Sequence, residues 1–261
     1  MKESCHQFGP QAQLAGVVTE PDRAPRASLL LVSAGLTPKA GPFRLYAELA
    51  RRLAKQGVLT LRFDLGGIGD SRQIDMSAPL ATRTQQDIGA AFDRIAQAAG
   101  PRGGGPIFVG GLCSGAEDAF RYAESDPRVS GVVLIDPFGY PTWGFRWRRF
   151  LVDAAKQTLG ALRFYRRGDS SGGPSLVDYR YLEKSESSRI LSALVARKSE
   201  VHFFYTGGTS SRFNHAGQLK DMFSEIDFAD RVTVDHLPRL GHTQLLAEDR
   251  ATLIDAIARR I

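Results

Sequence analysis

Pro106-Ile107-Phe108-Val109-Gly110-Gly111-Leu112-Cys113-Ser114-Gly115-Ala116 is the stretch whose reading decides the fold. An apolar run leads into two glycines, and a helix-like stretch from Ala116 to Glu124 leads out. Strand, sharp turn and helix with a nucleophile at the bend give the pattern Gly-x-nucleophile-x-Gly, here with Gly111 and Gly115 around Cys113. A residue at such a bend holds strained backbone, so the positions two away from it have to be small. Cys113 meets that condition on both sides, whereas Ser114 has Leu112 two residues before it. The stretch therefore predicts a cysteine nucleophile. The competing expectation is a cysteine that only fills a small apolar site at a strand end. A nucleotide-binding turn would need GxGxxG or GxxxxGKS/T, and neither occurs.

Outward from the bend, buried-strand runs alternate with helical periods. Upstream, Leu14–Thr19 reads as a first strand after a polar, flexible start, and Ser28–Val32 as a strand buried on both faces. A helix opening at Pro42 carries Leu45, Leu49 and Leu53, and Val58–Phe63 is the next strand. Asp64-Leu65-Gly66-Gly67-Ile68-Gly69-Asp70-Ser71 follows as a Gly-rich loop, in which Asp64 and Asp70 read as turn residues. Leu80–Ala99 has helical spacing, with Ile88, Phe92 and Ile95 on one face. Downstream, Val129–Ile135 is a strand ending at Asp136-Pro137, and strand patterns resume at Val201–Tyr205 and Val232–Val234 before a closing helix over 248–260. Between these strands the pattern changes. Trp147, Leu151, Ala154, Thr158, Leu162 and Tyr165 recur at helical spacing, 168–174 is a break, and 176–196 reads as mostly helical. The expectation is an α/β fold with a mostly parallel, doubly wound sheet. Its core comprises 1–138 and 199–261, with 139–198 a helical cap inserted between the strands ending near Ile135 and starting near Val201.

The 261 residues, 43% of them hydrophobic, suffice for one large core. No stretch approaches the ~18 apolar residues needed to span a bilayer, and the first residues lack the apolar run of a secretion signal. The two cysteines, Cys5 and Cys113, do not form a disulfide framework, so a reducing cytoplasm is expected. The net charge is +6, and the window 144–168 alone holds seven bases against one acid, Asp153. It includes Arg146, Arg148 and Arg149, expected to bind an anionic part of the substrate. The alternative for this window is a solvated helix face. No recognisable nucleic-acid-binding element occurs, and no His/Cys/Asp/Glu cluster has metal-ligand spacing, so neither nucleic acid nor metal is expected.

Ligands of open parallel sheets bind beyond the strands' carboxyl ends, where Cys113, Asp136 and Gly241-His242 all fall. A thiol with a free pKa near ~8.5 needs a neighbouring base, and His242 is the natural one. The backbone N–H groups of Leu36 and Ser114 are the expected oxyanion hole. His202, His215 and His236 read as packing or surface residues.

These residues resemble the α/β-hydrolases over nearly the whole chain. The likeness rests on Ala34-Gly35-Leu36, on Arg62 to Ser71, on the Gly111–Gly115 bend and on Gly241-His242. More narrowly, Gly111-Leu112-Cys113 and Lys39-Ala40-Gly41-Pro42-Phe43-Arg44 resemble the exosortase A system-associated hydrolases, relatives of serine aminopeptidase-type hydrolases of poorly defined substrate. A cysteine at the bend is also similar to dienelactone hydrolases and polyhydroxyalkanoate synthases. The chain departs from the superfamily at the acid. After the strand 201–205 it reads Thr206-Gly207-Gly208-Thr209-Ser210-Ser211-Arg212-Phe213-Asn214, with no carboxylate before Asp221. Asp136 occupies the alternative position used by some haloalkane dehalogenases. It is the expected partner of His242, with Asn214 or Asp221 the alternatives.

An acyl-cysteine is itself a thioester, so exchange with a thioester substrate is nearly balanced in energy. The expected function is acyl hydrolysis or acyl transfer on a thioester or activated ester, without a cofactor. The substrate is expected to be a small molecule or to be bound to a carrier such as coenzyme A or an acyl carrier protein, whose phosphate would meet the basic window. The alternative is a catalytically inactive α/β-hydrolase scaffold that binds or regulates.

Overall fold

The computed structural model describes residues 1–74, 76–100, 105–160 and 181–261, and the backbone alone for 154–160. Leu162, Tyr165, the 168–174 break and residues 176–180 lie outside the described residues. Eight strands form one sheet: β1 (Lys2–Phe8), β2 (Leu14–Glu20), β3 (Ala27–Val32), β4 (Val58–Phe63), β5 (Ile107–Leu112), β6 (Gly131–Ile135), β7 (Glu200–Thr206) and β8 (Val232–Leu237). Their spatial order is β1-β2-β4-β3-β5-β6-β7-β8. β1 with β2 and β2 with β4 are antiparallel, and every later pair is parallel.

The central strands are apolar throughout because both faces are covered. Along β3, Leu30 and Val32 face one core, with Ile88 and Phe92 of helix α2 (Leu80–Ala99) and Phe120 of α3 (Ser114–Ser125). Leu29 and Leu31 face the other, with Leu49 and Leu53 of α1 (Leu45–Ala54) and Ile254 and Ile257 of α7 (Ala247–Ala258). The fold is that of the α/β-hydrolases: a mostly parallel sheet, wound on both sides.

Three sequence expectations need correction. The polar start is not flexible: residues 2–8 pair along their whole length with β2 as the sheet's edge strand. Its alternating face is mostly polar and exposed, so no hydrophobic alternation announced it. Leu14–Glu20 is consequently the second strand. The helix expected over 176–196 is, within the described residues, α5 (Lys184–Ala196). Leu182 lies outside it, buried, its N–H donating to Glu117 Oε2 at 2.9 Å.

Between β6 and β7 the chain also forms α4 (Trp143–Gly160). α5 buries Ile190, Leu191 and Leu194 in the core shared with α3 and β7. Among its described side chains, α4 is tied down through its first turn, where Phe145 is buried and Asn214 Nδ2 donates to Phe145 O at 3.1 Å. The short α6 (Gln218–Met222), which periodicity over five residues could not reveal, packs beside α4. No helix among the described residues is long and apolar enough to cross a membrane.

Candidate active site

β5 ends at Leu112, and Cys113 turns the chain into α3 with φ 54° and ψ −121°. An L-residue reaches that region only under constraint. The constraint is close packing of backbone on either side. A Cβ on Gly111 would come within 2.7 Å of Val32 O and of Gly115 C, and one on Gly115 within 2.5 Å of Val32 O. Both glycines are therefore required by contact with the end of β3.

The same contact brings the loop after β3 to the bend. Gly35 N donates to Ser114 Oγ at 2.9 Å. The Ser114 hydroxyl thus pins this loop, with Leu36 beside it, to the start of α3. Leu36 is largely exposed. The N–H of Ser114 belongs to the first turn of a helix, where N–H groups lack intrahelical partners and the dipole favours negative charge. Beneath the bend, buried Tyr46 of α1 donates to Val32 O at 3.0 Å and accepts from Leu112 N at 2.7 Å, joining the ends of β3 and β5.

The far side of the loop is anchored by Asp64. Fully buried, it accepts from Lys39 Nζ at 2.6 Å and from Asp70 N at 3.0 Å, and Lys39 Nζ also meets Asp70. Burial works against the Lys39 ammonium, but the bonds to Asp64 and Asp70 outweigh it and hold its pKa above the usual lysine value. Gly69, at φ +52°, has no room for a Cβ, which would fall 2.4 Å from Asp64 Oδ2. Asp64 and Asp70 are structural loop residues, as their turn chemistry suggested.

β6 runs next to β5 and carries Asp136 past its end, at φ 48° and fully buried. Asp136 Oδ2 lies 2.8 Å from His242 Nδ1 and 2.6 Å from Thr206 Oγ1. Its Oδ1 accepts from Thr206 N at 2.6 Å and Thr209 Oγ1 at 3.2 Å. Hydroxyl and amide donors thus occupy the end of β7, where the superfamily pattern places an acid. Thr206 and Thr209 carry no signal of this role in the sequence, because a hydroxyl that orients a carboxylate has no spacing pattern of its own. Gly208 lets the histidine loop settle there: a Cβ on it would fall 2.3 Å from His242 Cβ.

The alternatives for the acid are engaged elsewhere. Asn214 turns toward α4, and Asp221 lies 3.8 Å from His215. Hydrogen bonds to Asp136 and then to Cys113 push the pKa of His242 up to about 9, with burial opposing. Cys113 and Cys5 are both free thiols. Cys113, His242, Asp136, Leu36 and Ser114 therefore converge on one sheet edge. Arg146, Arg148 and Arg149 do not: they are exposed on α4 and line neither of two cavities found there among the described residues.

One cavity, of about 360 Å³, reaches Leu36 and Ser114 and runs between Leu65, Ile68, Leu80 and Ala81. Its far wall holds Asp118 and Arg121. Burial pushes the Asp118 carboxyl up to about 7, against the pull of Arg121. The other cavity, of about 530 Å³, reaches His242 from the side of Glu117, Tyr140, Tyr181 and Arg212. No group of His, Cys, Asp and Glu side chains among the described residues could hold a metal ion.

Sheet order, strained bend and histidine loop define an α/β-hydrolase. The family described as serine aminopeptidase, S33, matches residues 24–205, and the chain belongs to it. The family is named for serine enzymes, whereas this chain has Cys113 between Gly111 and Gly115. No curated protein matches this chain in sequence.

Solved structures share its fold at low identity. A hydrolase structure from Agrobacterium vitis is 18% identical at TM-score 0.60, covering 100% of this chain and 98% of that one. An alpha-beta serine hydrolase homologue from Coxiella burnetii is 14% identical at TM-score 0.62, covering 100% and 97%. A thioesterase domain from the curacin biosynthetic pathway is 18% identical at TM-score 0.58, covering 98% and 99%.

Proposed function

We propose that the protein is an acyl hydrolase or acyltransferase that works through an acyl-Cys113 intermediate on a thioester or activated ester. The observation that carries this reading is the strained bend at Cys113, facing a histidine whose far ring nitrogen is bonded to a buried carboxylate. A binding scaffold has no use for that strain. In the proposed reaction His242 takes the Cys113 thiol proton and becomes imidazolium, the sulfur attacks the acyl carbon, and the carbonyl oxygen takes the electron pair. The N–H groups of Leu36 and Ser114 meet the resulting oxyanion. As the carbon–sulfur or carbon–oxygen bond to the leaving group breaks, the His242 imidazolium gives that group a proton. Water, or a second acceptor, then loses its proton to His242 and attacks the acyl-Cys113 carbonyl, and the Cys113 thiolate leaves. Asp136 holds His242 in the tautomer that presents its other nitrogen to the sulfur.

The apolar walls of the cavity at Leu36 and Ser114 suit the acyl group, and the more open cavity at His242 suits the leaving group. Residues 139–198 are proposed to cap this edge, α4 contributing the exposed part and α5 anchoring it on the core. Arg146, Arg148 and Arg149 line neither cavity, and no part of the substrate is assigned to them. Within the superfamily we assign the chain to the exosortase A system-associated hydrolases, and to a reducing cytoplasm that keeps Cys113 a thiol.

The test is acyl-thioester turnover by single variants. Cys113→Ala should abolish turnover while the fold is retained. Ser114→Ala should keep the chemistry but lose about tenfold in kcat, because its hydroxyl positions the Leu36 loop. Turnover that survives in Cys113→Ala and disappears in Ser114→Ala would reassign the nucleophile.

A further inference from the structure

On the side away from Phe145, α4 presents a surface for which the proposed chemistry has no use. Every residue from Arg146 to Asp153 is exposed. Trp143 is 79% exposed and Phe150 62%, with Trp147 and Leu151 about half exposed. The rings of Trp143 and Trp147 stack nearly parallel at 6.0 Å, and Phe150 continues the stack at 5.9 Å. At about 100° per helical residue, Trp143, Trp147, Phe150 and Leu151 share one stripe. Arg146 and Arg149 border that stripe on one side, with Asp153 between them 3.8 Å from Arg149, and Arg148 borders it on the other. Buried Phe145, on the opposite side of the helix, faces the protein body.

We propose that this stripe docks α4 on a membrane surface presenting anionic phospholipid head groups. Isolated surface apolar residues are ordinary, but a contiguous stack of this extent marks an interaction site. The flanking arginines say of what kind. Aromatic rings seated at the acyl–headgroup boundary, with guanidinium groups reaching out from both edges to phosphate, are the pattern of a helix lying in an interface. A second copy of this chain fits poorly, because a two-fold contact through this stripe would bring the same arginines face to face. A soluble phosphate-bearing carrier would satisfy the arginines but leave the aromatic stack in water. This inference uses the fold alone and does not depend on Cys113 being the nucleophile.

Trp143 and Trp147 are the chain's two tryptophans, so its tryptophan emission reports on this helix alone. Vesicles of phosphatidylcholine mixed with phosphatidylglycerol should shift that emission to the blue and sediment the full-length protein, with weakening as salt is added. Vesicles of phosphatidylcholine alone should bind far less. Replacing Arg146, Arg148 and Arg149 together by Gln should weaken binding on the order of a hundredfold, at about fivefold each. Phe150→Ala with Leu151→Ala should weaken it roughly tenfold or more while leaving both reporters in place. Circular dichroism of each variant should be unchanged, since all these side chains are exposed.

The proposal fails if anionic vesicles neither shift the emission nor sediment the protein, or if both variants bind as the wild type does. It also fails if coenzyme A shifts the emission and displaces the protein from vesicles, which would give the arginines to a soluble carrier. A concentration-dependent dimer whose emission is already blue-shifted without lipid would give the stripe to self-association.

Discussion

Cys113 keeps a backbone conformation that costs on the order of 1–3 kcal/mol, between two glycines that close packing against Val32 requires. The sequence displayed this through Gly111 and Gly115, because small residues two away from a bend are visible without coordinates. His242 and Asp136 were legible as residues at strand ends, and the resemblance paired them. Their 2.8 Å contact depends on β6 lying beside β5 and on Thr206 and Thr209 fixing the carboxylate, which no local pattern announces.

That contact has a measurable consequence. A folded-state pKa near 9 for His242 lies above the unfolded value of about 6.5. The stabilisation is thus fully present below about pH 6.5 and is lost as pH rises through 9. Asp136→Asn removes its main cause. Denaturant unfolding should show a stability gap between wild type and Asp136→Asn that is widest near pH 6 and narrows toward pH 9.5. A gap that is constant or widens with pH would mean that Asp136 does not hold the imidazolium. The same variant should lower kcat by about 10- to 10³-fold with little change in KM, less than a serine enzyme would lose, since a thiol ionises more easily.

At the scale of elements, the parallel strands and their helices could be read from the sequence because both faces of the sheet are covered and the runs are uniformly apolar. β1 could not, since an edge strand with polar faces carries no period-two hydrophobic signal, and its pairing with β2 supplies what its side chains do not. The amphipathic period of α4 was visible, yet periodicity cannot say whether an apolar stripe meets a core or solvent. At Trp147 and Leu151, whose side chains are described, it meets solvent.

Tyr46 shows the opposite limit. In the sequence it is one more apolar-face residue of α1, and in the fold its hydroxyl joins β3 to β5 directly under the bend. Tyr46→Phe should cost about 1–3 kcal/mol in chemical denaturation, the penalty for leaving the buried Leu112 N–H without this acceptor. It should also slow alkylation of Cys113 by iodoacetamide, because the end of β5 sets the direction of the sulfur. Wild-type stability and wild-type alkylation together would show that the hydroxyl is incidental.

For the molecule as a whole, one cavity reaches Ser114 and another reaches His242, and under the proposed function the volume of the first bounds the acyl group. Ala81 lines that cavity, so Ala81→Phe should reduce kcat/KM for longer acyl thioesters by about tenfold or more and spare the shortest. Iodoacetamide alkylation of Cys113, which needs no acyl cavity, should be unchanged. Equal losses across all chain lengths would place the acyl group elsewhere.

The most direct measurement is intact-mass analysis of the protein mixed with a panel of acyl thioesters and quenched in acid within the first turnover. A covalent acyl addition should appear, map to the peptide containing Cys113, be released by hydroxylamine as a thioester, and be absent from Cys113→Ala. An acyl group mapped to Ser114, or turnover without any adduct on Cys113, would contradict the account.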